Sequence, residues 1–284
     1  MNAELEGIGG KKEFLRFTRL NRVLHVIMIF SFMSLALTGM TLKFSYTNWA
    51  ATLSRFFGGF ETAGYIHRSA AVLMFGIFFA HLTDLFRRMR KEKGSVRAML
   101  LGPDTMLPTK RDLREFIGSV KWFVGLGPRP HFGRWTYWEK FDYFAVFWGI
   151  FVIGSTGLML WFPELFTYVF PGWFINVATI IHSDEALLAV GFIFTVHFFN
   201  THLRPEKFPM DLVVFTGRMS VEEFKEDKPA EYEALVRAGK LEQYLVEPYP
   251  PIVLRAIRAF GWTALGLGFS IVIWIIYAMI FSYR

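Results

Sequence analysis

The sequence predicts an all-α integral membrane protein with five transmembrane helices. Of its 284 residues, 53% are hydrophobic, 18% are aromatic and only 19% are charged. The mean hydropathy is +0.34, a bias that a water-soluble domain of this size does not need. Five apolar stretches are each close to the roughly 20 residues that a helix needs to cross a bilayer.

The five predicted spans follow one another along the chain. They cover residues 23–42, 65–86, 141–162, 177–199 and 258–281. We expect the first four to form one bundle within a domain of residues 1–240. The fifth follows a linker within residues 241–284, and because it carries no histidine its expected role is packing or docking to a partner.

Basic residues are distributed unevenly between the loops. Thirteen lie between Arg87 and Lys140, whereas Lys43 and Arg55 are the only two between the first and second spans. Since lysine and arginine are enriched in cytoplasmic loops, the N-terminus is predicted to be cytoplasmic and the C-terminus outside, in the inner (cytoplasmic) membrane. This topology accounts for most of the net charge of +7, so no nucleic acid is expected as a partner.

Cysteine is absent from the sequence. Disulfides, thiolate-held iron–sulfur clusters, c-type haem attachment and cysteine zinc sites are therefore excluded. Any redox centre must be held by histidine, and five of the seven histidines lie in predicted spans: His25, His67, His81, His182 and His197. Ionisable side chains are uncommon in membrane helices and usually serve a pathway or a cofactor.

The spacing of these histidines suggests a cofactor. His67 and His81 are fourteen residues apart on the second span, and His182 and His197 are fifteen apart on the fourth. In an α-helix the members of each pair would be roughly 21 Å apart along the axis and only about 40–60° apart around it. Two such helices facing each other would hold two stacked haems, one near each membrane face. A non-redox metal-ion transporter is the alternative.

A short repeat accompanies the histidines. Residues 37–42 (LTGMTL) and 155–160 (STGLML) are each followed about 25 to 29 residues later by a helix that begins with His67 or His182. Four glycines near these elements would either make room for a flat macrocycle or serve small-residue helix packing. They are Gly39, Gly76, Gly157 and Gly191.

Several motifs resemble the cytochrome b (gamma) subunits of membrane-bound formate dehydrogenases and nickel-iron hydrogenases. The likeness covers roughly residues 14–240 and rests on Arg19-Leu20-Asn21-Arg22-Val23-Leu24-His25, Ile66-His67, Thr156-Gly157-x-x-Leu160-Trp161-x-Pro163 and the His182/His197 pair. That family binds two b haems in a four-helix bundle. The resemblance implies that His67 and His182 ligate the outer haem iron, and that His25 and His197 ligate the inner one.

His81 departs from the family pattern. Geometry alone would let it replace His25 opposite His197, and together with His202 it would supply a possible third haem. A hydrogen bond to a haem propionate, or a proton relay with Asp84, is the more modest alternative. The fifteen-residue spacing on the fourth span is one more than in the family, and a local bulge would absorb it.

The resemblance also implies a quinone site beside the inner haem, at the cytoplasmic end of the third span. Tyr137, Glu139 and Asp142 would supply hydrogen bonds and protons there, although interfacial aromatic residues also occur as a membrane belt. The expected function is that of the quinone-reactive subunit of a respiratory oxidoreductase complex. It would exchange electrons with an outer-face subunit that carries iron–sulfur clusters or c-type haems. A stand-alone quinol-linked reductase of an external acceptor is the alternative.

Two further features lie outside the spans. Residues 110–126 predict an amphipathic helix on the cytoplasmic leaflet. Ser220-x-x-Glu223 predicts a capping box that opens a charged helix. Arg22 and Arg68 are predicted to pair with haem propionates, because arginine donors match carboxylates well.

Overall fold

A computed structural model shows an all-α, multi-pass membrane protein and confirms the predicted fold class. The structure describes residues 12–91, 100, 102 and 104–282, and 75% of it is helical. Five helices are long and apolar enough to cross a membrane: Arg19–Lys43, Phe60–Arg90, Tyr137–Trp161, Trp173–Leu203 and Pro251–Phe281. Their exposed apolar faces are surfaces for lipid contact.

The helices extend beyond the predicted apolar stretches at most of their ends. The second span, for example, begins at Phe60 and continues to Arg90, whereas hydropathy indicates 65–86. Backbone hydrogen bonding continues where the side chains become polar, so hydropathy underestimates helix length. The third span ends one residue before its predicted end, since the residue before Pro163 is disfavoured in the α conformation and Phe162 has φ −125° and ψ 55°.

The described residues fall into two compact units, each drawn from three chain segments. One takes its residues from 1–23, 82–144 and 211–258, and the other from 24–81, 145–210 and 259–284. The domain boundary predicted between residues 240 and 241 stays a prediction. Part of the basic segment between Arg87 and Lys140 lies outside the described residues, so its contribution to topology stays a prediction.

In the second unit the first four spans form a ring. Four contacts connect neighbouring helices: Ser31 with Met74, Phe78 with Phe147, Trp148 with Glu185, and Lys43 with Asp184. Within the apolar windows of these spans only 22, 11, 6 and 17% of residues are buried, in chain order. Most residues of these apolar windows are therefore not fully buried by protein and are available for lipid contact.

The fifth span packs more tightly than the others. Its buried residues form one stripe: Gly261, Leu265, Gly268, Ile271, Ile275 and Ala278. Gly268 lies against the rings of Phe194 and Phe198 on the fourth span, and Phe260 lies 5.4 Å from Phe30 on the first. The packing role predicted for this helix is confirmed.

The first unit contains a small sheet that the sequence did not predict. Strands β1 (Glu13–Leu15), β2 (Arg218–Ser220) and β3 (Leu245–Val246) pair antiparallel in the order β2-β1-β3. Phe14 of β1 is 1% exposed and stacks on Phe224 at 3.7 Å between ring centroids. Strands this short carry too little alternation of polar and apolar residues to be recognised from sequence.

Shorter helices complete the fold. They span Asn48–Phe56, Lys110–Phe123, Pro163–Thr167, Val213–Thr216, Val221–Asp227 and Pro229–Arg237, with a 3₁₀ turn at Leu241–Tyr244. The Ser220 hydroxyl accepts a hydrogen bond of 3.0 Å from the Glu223 amide, as the predicted helix cap requires. Helix Lys110–Phe123 confirms the predicted amphipathic helix and ends just before Gly125, whose φ is +75°.

Candidate haem-binding histidines

His67 on the second span and His182 on the fourth are neighbours inside the bundle. Their ring centroids are 6.2 Å apart and their ring planes meet at 78°. Two imidazoles that bind one metal ion from opposite sides have centroids about 6 Å apart, because each metal–nitrogen bond is about 2 Å and each ring adds about 1 Å. The observed separation fits a single iron ion between the two rings.

The tautomer of His182 is set by a backbone carbonyl. Its Nδ1 lies 2.9 Å from the Ile153 oxygen. A carbonyl can only accept, so Nδ1 carries the proton and Nε2 keeps a lone pair for a metal. The Thr156 hydroxyl lies 3.4 Å from the same Nδ1 and donates its own proton to the Val152 oxygen at 2.7 Å.

His67 is held in the same tautomer by a threonine. Its Nδ1 is 3.0 Å from the Thr38 hydroxyl oxygen. That hydroxyl donates its proton to the Ser34 oxygen at 2.6 Å, so it accepts from Nδ1 and leaves the Nε2 lone pair for a metal. Hydrogen bonds of this kind orient metal-binding histidines and make them stronger ligands.

The repeated Thr-Gly pairs give these rings their space. A Cβ atom on Gly39 would lie 3.1 Å from Cε1 of His67, and one on Gly157 would lie 2.9 Å from Cε1 of His182. The room at these two glycines is therefore occupied by imidazoles. A Cβ on Gly76 or Gly191 would meet nothing within 4 Å, so close helix packing does not require glycine at these two positions. The prediction that they make room for a macrocycle stays a prediction.

Two cations lie close to these histidines in sequence or through their contacts, Lys43 on the first span and Arg68 on the second. The Lys43 ammonium donates to Asp184 Oδ1 at 2.8 Å, two residues beyond His182. The Arg68 guanidinium, next to His67, lies 5.8 Å from the ring centroid of Tyr65 and 5.9 Å from that of Trp161. The sequence indicated Lys43 only as a determinant of membrane topology and did not predict its contact with Asp184.

A second group of histidines involves the first span. His25 lies close enough to His197 and His202 to interact with both electrostatically. The structure thus places His197 within electrostatic range of His25, and the ligand pair implied by the family resemblance stays a prediction. His202, which also interacts with His25, is 9% exposed.

The fourth span departs from α-helical geometry where it carries these residues. Ile193–His197 and Phe199–Leu203 are π-helical, and a π turn takes in more residues than an α turn. The local bulge predicted from the fifteen-residue spacing is therefore confirmed. The third span has a π-helical stretch at Ile150–Gly154, which includes the carbonyl that binds His182.

His81 lies elsewhere on the second span. Its ring approaches Phe147 edge-on, with 6.3 Å between centroids. Asp84, its predicted partner in a proton relay, forms an ion pair of 2.8 Å with Arg88. The roles of His81 as inner ligand or third-haem ligand stay predictions.

The three residues predicted to bind quinone lie at the start of the third span. Glu139 Oε1 is 2.9 Å from the Arg16 guanidinium, and its Oε2 is 2.6 Å from the Lys228 ammonium. The Tyr137 ring lies edge-on to Trp138 at 4.9 Å, and Asp142 is half-buried. The Glu139 carboxylate thus has a structural role in an ion cluster, while the quinone role of all three residues stays a prediction.

Arg22 also has a structural role. Its Nη1 donates to the Thr216 oxygen at 2.9 Å and to the Tyr249 hydroxyl at 3.0 Å. These contacts compete with the predicted pairing of Arg22 with a haem propionate, which stays a prediction.

Among the residues that the structure describes, no three or more His, Asp or Glu side chains are grouped to hold a metal ion. No protein-family model and no curated protein sequence matches this chain.

Proposed function

We propose that this chain is a membrane cytochrome b subunit that transfers electrons between a partner redox subunit and membrane quinone. The observation that carries the proposal is the pair His67 and His182. Their rings are 6.2 Å apart and each Nδ1 is hydrogen-bonded, which leaves two Nε2 lone pairs. This is the donor set of a bis-histidine b haem.

His67 and His182 would hold the outer haem, and His25 and His197 the inner one. Bound haem iron supplies reversible one-electron transfer. Thr38 and the Ile153 carbonyl fix the orientation of the outer rings, while the apolar spans exclude water. His202 is the alternative partner of His25, since His25 interacts with both fourth-span histidines.

The proposal also covers the quinone site, the membrane topology and the partner subunit. Tyr137, Glu139 and Asp142 would supply hydrogen bonds and protons to quinone, and Glu139 would also anchor the local structure. The distribution of lysine and arginine supports an inner-membrane protein with a cytoplasmic N-terminus and an outer C-terminus. The partner would meet the outer face and carry iron–sulfur clusters or c-type haems, because this chain has no cysteine to hold either.

Haem content tests the proposal directly. We expect the purified chain to bind two haems and to give a low-spin b-type reduced-minus-oxidised spectrum. His67→Ala and His182→Ala should each lose one haem, whereas His131→Ala, a change outside the five spans, should lose none. The near-perpendicular rings predict a strongly anisotropic ferric EPR signal from the outer haem.

Further variants identify the inner ligands. We expect His25→Ala and His197→Ala each to lose one haem. We expect His81→Ala and His202→Ala to retain two. Elution as a single species in size-exclusion chromatography checks that each variant folds. A folded wild-type chain without a bis-histidine spectrum would refute the cytochrome b assignment.

Quinone chemistry needs a separate measurement. Glu139→Gln and Lys228→Met both remove the Glu139–Lys228 ion pair, but only the first removes the carboxylate. If Glu139 carries protons, quinone-linked haem oxidation should slow in Glu139→Gln alone. Equal slowing in both variants would restrict Glu139 to its structural role.

A further inference from the structure

The helix Lys110–Phe123 buries acidic residues and exposes apolar ones, which is the opposite of a helix that packs on a water-soluble core. Its acidic residues Asp112 and Glu115 are each only 7% exposed, whereas Leu113 is 61% and Phe123 is 86% exposed. Large exposed apolar faces mark interaction surfaces. On a membrane protein, a helix with this arrangement fits the lipid interface, with its apolar side in the acyl region.

Contacts with the third span hold the helix in this orientation. The Lys140 ammonium lies 2.9 Å from Asp112 Oδ1, and both side chains are almost fully buried. The Phe116 ring lies edge-on to Tyr137 at 5.5 Å. Tyr137 and Lys140 belong to the first turn of a membrane span, so the helix is fastened where that span begins.

A basic pocket adjoins the same helix. It has a volume of about 460 Å³ and is lined by four cationic side chains, Arg111, Arg114, Lys121 and Arg129, together with His131. Glu115 is the one carboxylate among the described lining residues, and Arg111 Nε already binds it at 2.7 Å. The pocket therefore carries an excess of positive charge.

Two of these cations are available for a ligand. Arg129 faces Asp227 at 3.7 Å, but Arg114 and Lys121 have no ion pair with any described residue. They are seven residues apart, which places them two turns from each other on one side of the helix. That side lies about 100° from the middle of the apolar face formed by Leu113, Phe116, Ile117, Val120 and Val124.

We propose that this pocket binds the phosphate of an anionic phospholipid whose acyl chains lie along the exposed apolar face of helix Lys110–Phe123. Arg114 and Lys121 contact the phosphate, and arginine forks suit its oxygens. Basic pockets beside membrane helices favour anionic headgroups in this way. The inference is independent of haem binding.

A thermal-shift titration of the full chain in detergent tests the site. The probes are phosphatidylglycerol, phosphatidylcholine and inorganic phosphate at matched concentrations. We expect phosphatidylglycerol to raise the melting temperature by several degrees, because a ligand that binds only the folded state stabilises it. Neither of the other probes should do so.

The variants identify the pocket. Arg114→Gln with Lys121→Gln should lose most of the phosphatidylglycerol shift, while Arg237→Gln with Lys240→Gln, which removes the same charge outside the pocket, should keep it. The same variants in native mass spectrometry should show loss or retention of bound lipid, independently of stability.

Two outcomes would overturn the proposal. An equal loss of the shift in both double variants would indicate a general charge effect. An equal shift with inorganic phosphate, abolished by Arg114→Gln with Lys121→Gln, would indicate a site for free anions instead of lipid.

Discussion

Two threonine hydroxyls, of Thr38 and Thr156, contact the Nδ1 atoms of His67 and His182, and the sequence repeat contains both threonines. In the sequence, Thr38 and Thr156 are recognisable only as the residues that precede the two repeated glycines. Their function depends on contacts with residues 29 and 26 positions away. The spacing of residues does not show that each threonine hydroxyl donates its proton to a backbone carbonyl. It therefore does not show that the hydroxyl can only accept from the imidazole.

Thr38→Val tests the role of this hydrogen bond. The change keeps the side-chain shape but removes one acceptor of His67, the Leu35 carbonyl being another, so the imidazole becomes a weaker donor to iron. We expect the reduction potential of the outer haem to rise by tens of millivolts in a potentiometric titration, with the inner haem unchanged. Thr41→Val is the matched control, since Thr41 is equally buried and bonds only the Leu37 carbonyl of its own helix. A similar rise in both variants would contradict the assignment.

Gly157→Ala tests the space reserved for a ligand ring. The added Cβ would come within 2.9 Å of His182 Cε1, so the ring must move away from its position opposite His67. We expect the outer haem to be lost or to change its spectrum, which absorbance of the purified protein would reveal. Gly266→Ala adds the same methyl group to the fifth span, where nothing lies within 4 Å, and should retain both haems.

At the scale of single elements, the fifth span shows how small residues set helix contacts. Gly268 faces two phenylalanine rings, and a Cβ there would lie 2.7 Å from each. We expect Gly268→Ala to lower the thermal midpoint, followed by circular dichroism in detergent, by several degrees, as overpacking costs about 1–3 kcal/mol. Gly266→Ala lies two residues away, meets nothing within 4 Å and should leave the midpoint unchanged. Equal midpoints for the two variants would disprove the packing argument.

The ion cluster around Glu139 joins elements that are distant in sequence. Glu139 opens the third span, Arg16 precedes the first span and is 123 residues away, and Lys228 lies just before helix Pro229–Arg237. Burial is the main reason that the pKa of Lys228 falls from 10.5 to about 8; Glu139 opposes the fall and Arg16 adds to it. Because the pKa of Lys228 is lower in the folded protein than in the unfolded chain, the free energy of unfolding depends on pH.

The direction of that dependence follows from proton binding. Between about pH 8 and 10.5 the unfolded chain holds a proton that the folded protein has released, so the free energy of unfolding rises with pH. Relative to Lys228→Met, which has no such proton, we expect the wild-type melting temperature to rise across this range. The full effect is at most about 3 kcal/mol. A gap between the two proteins that stays constant from pH 7 to 11 would contradict the shifted pKa.

For the whole molecule, the sequence was most informative where the membrane restricts composition. The spans and the proximity of His67 to His182 were predictable, because a bilayer excludes polar residues and so makes each histidine within a span conspicuous. The electrostatic interaction of His202 with His25 was not predictable, since ideal α-helical geometry does not describe the fourth span, where Ile193–His197 and Phe199–Leu203 are π-helical. The three-stranded sheet was missed for another reason: its strands are two to three residues long and come from opposite ends of the chain.

The hydrogen bonds to the outer histidines have a consequence for biogenesis. Thr38 reaches His67 across 29 residues, and the Ile153 carbonyl reaches His182 across the same number. Each bond therefore lies within one helical hairpin, made either of the first two spans or of the next two. During synthesis, each hairpin can orient its own histidine as soon as it has entered the bilayer, before the other hairpin arrives. Joining the hairpins then requires only that two preset rings approach each other, and a metal between them would fasten the halves together.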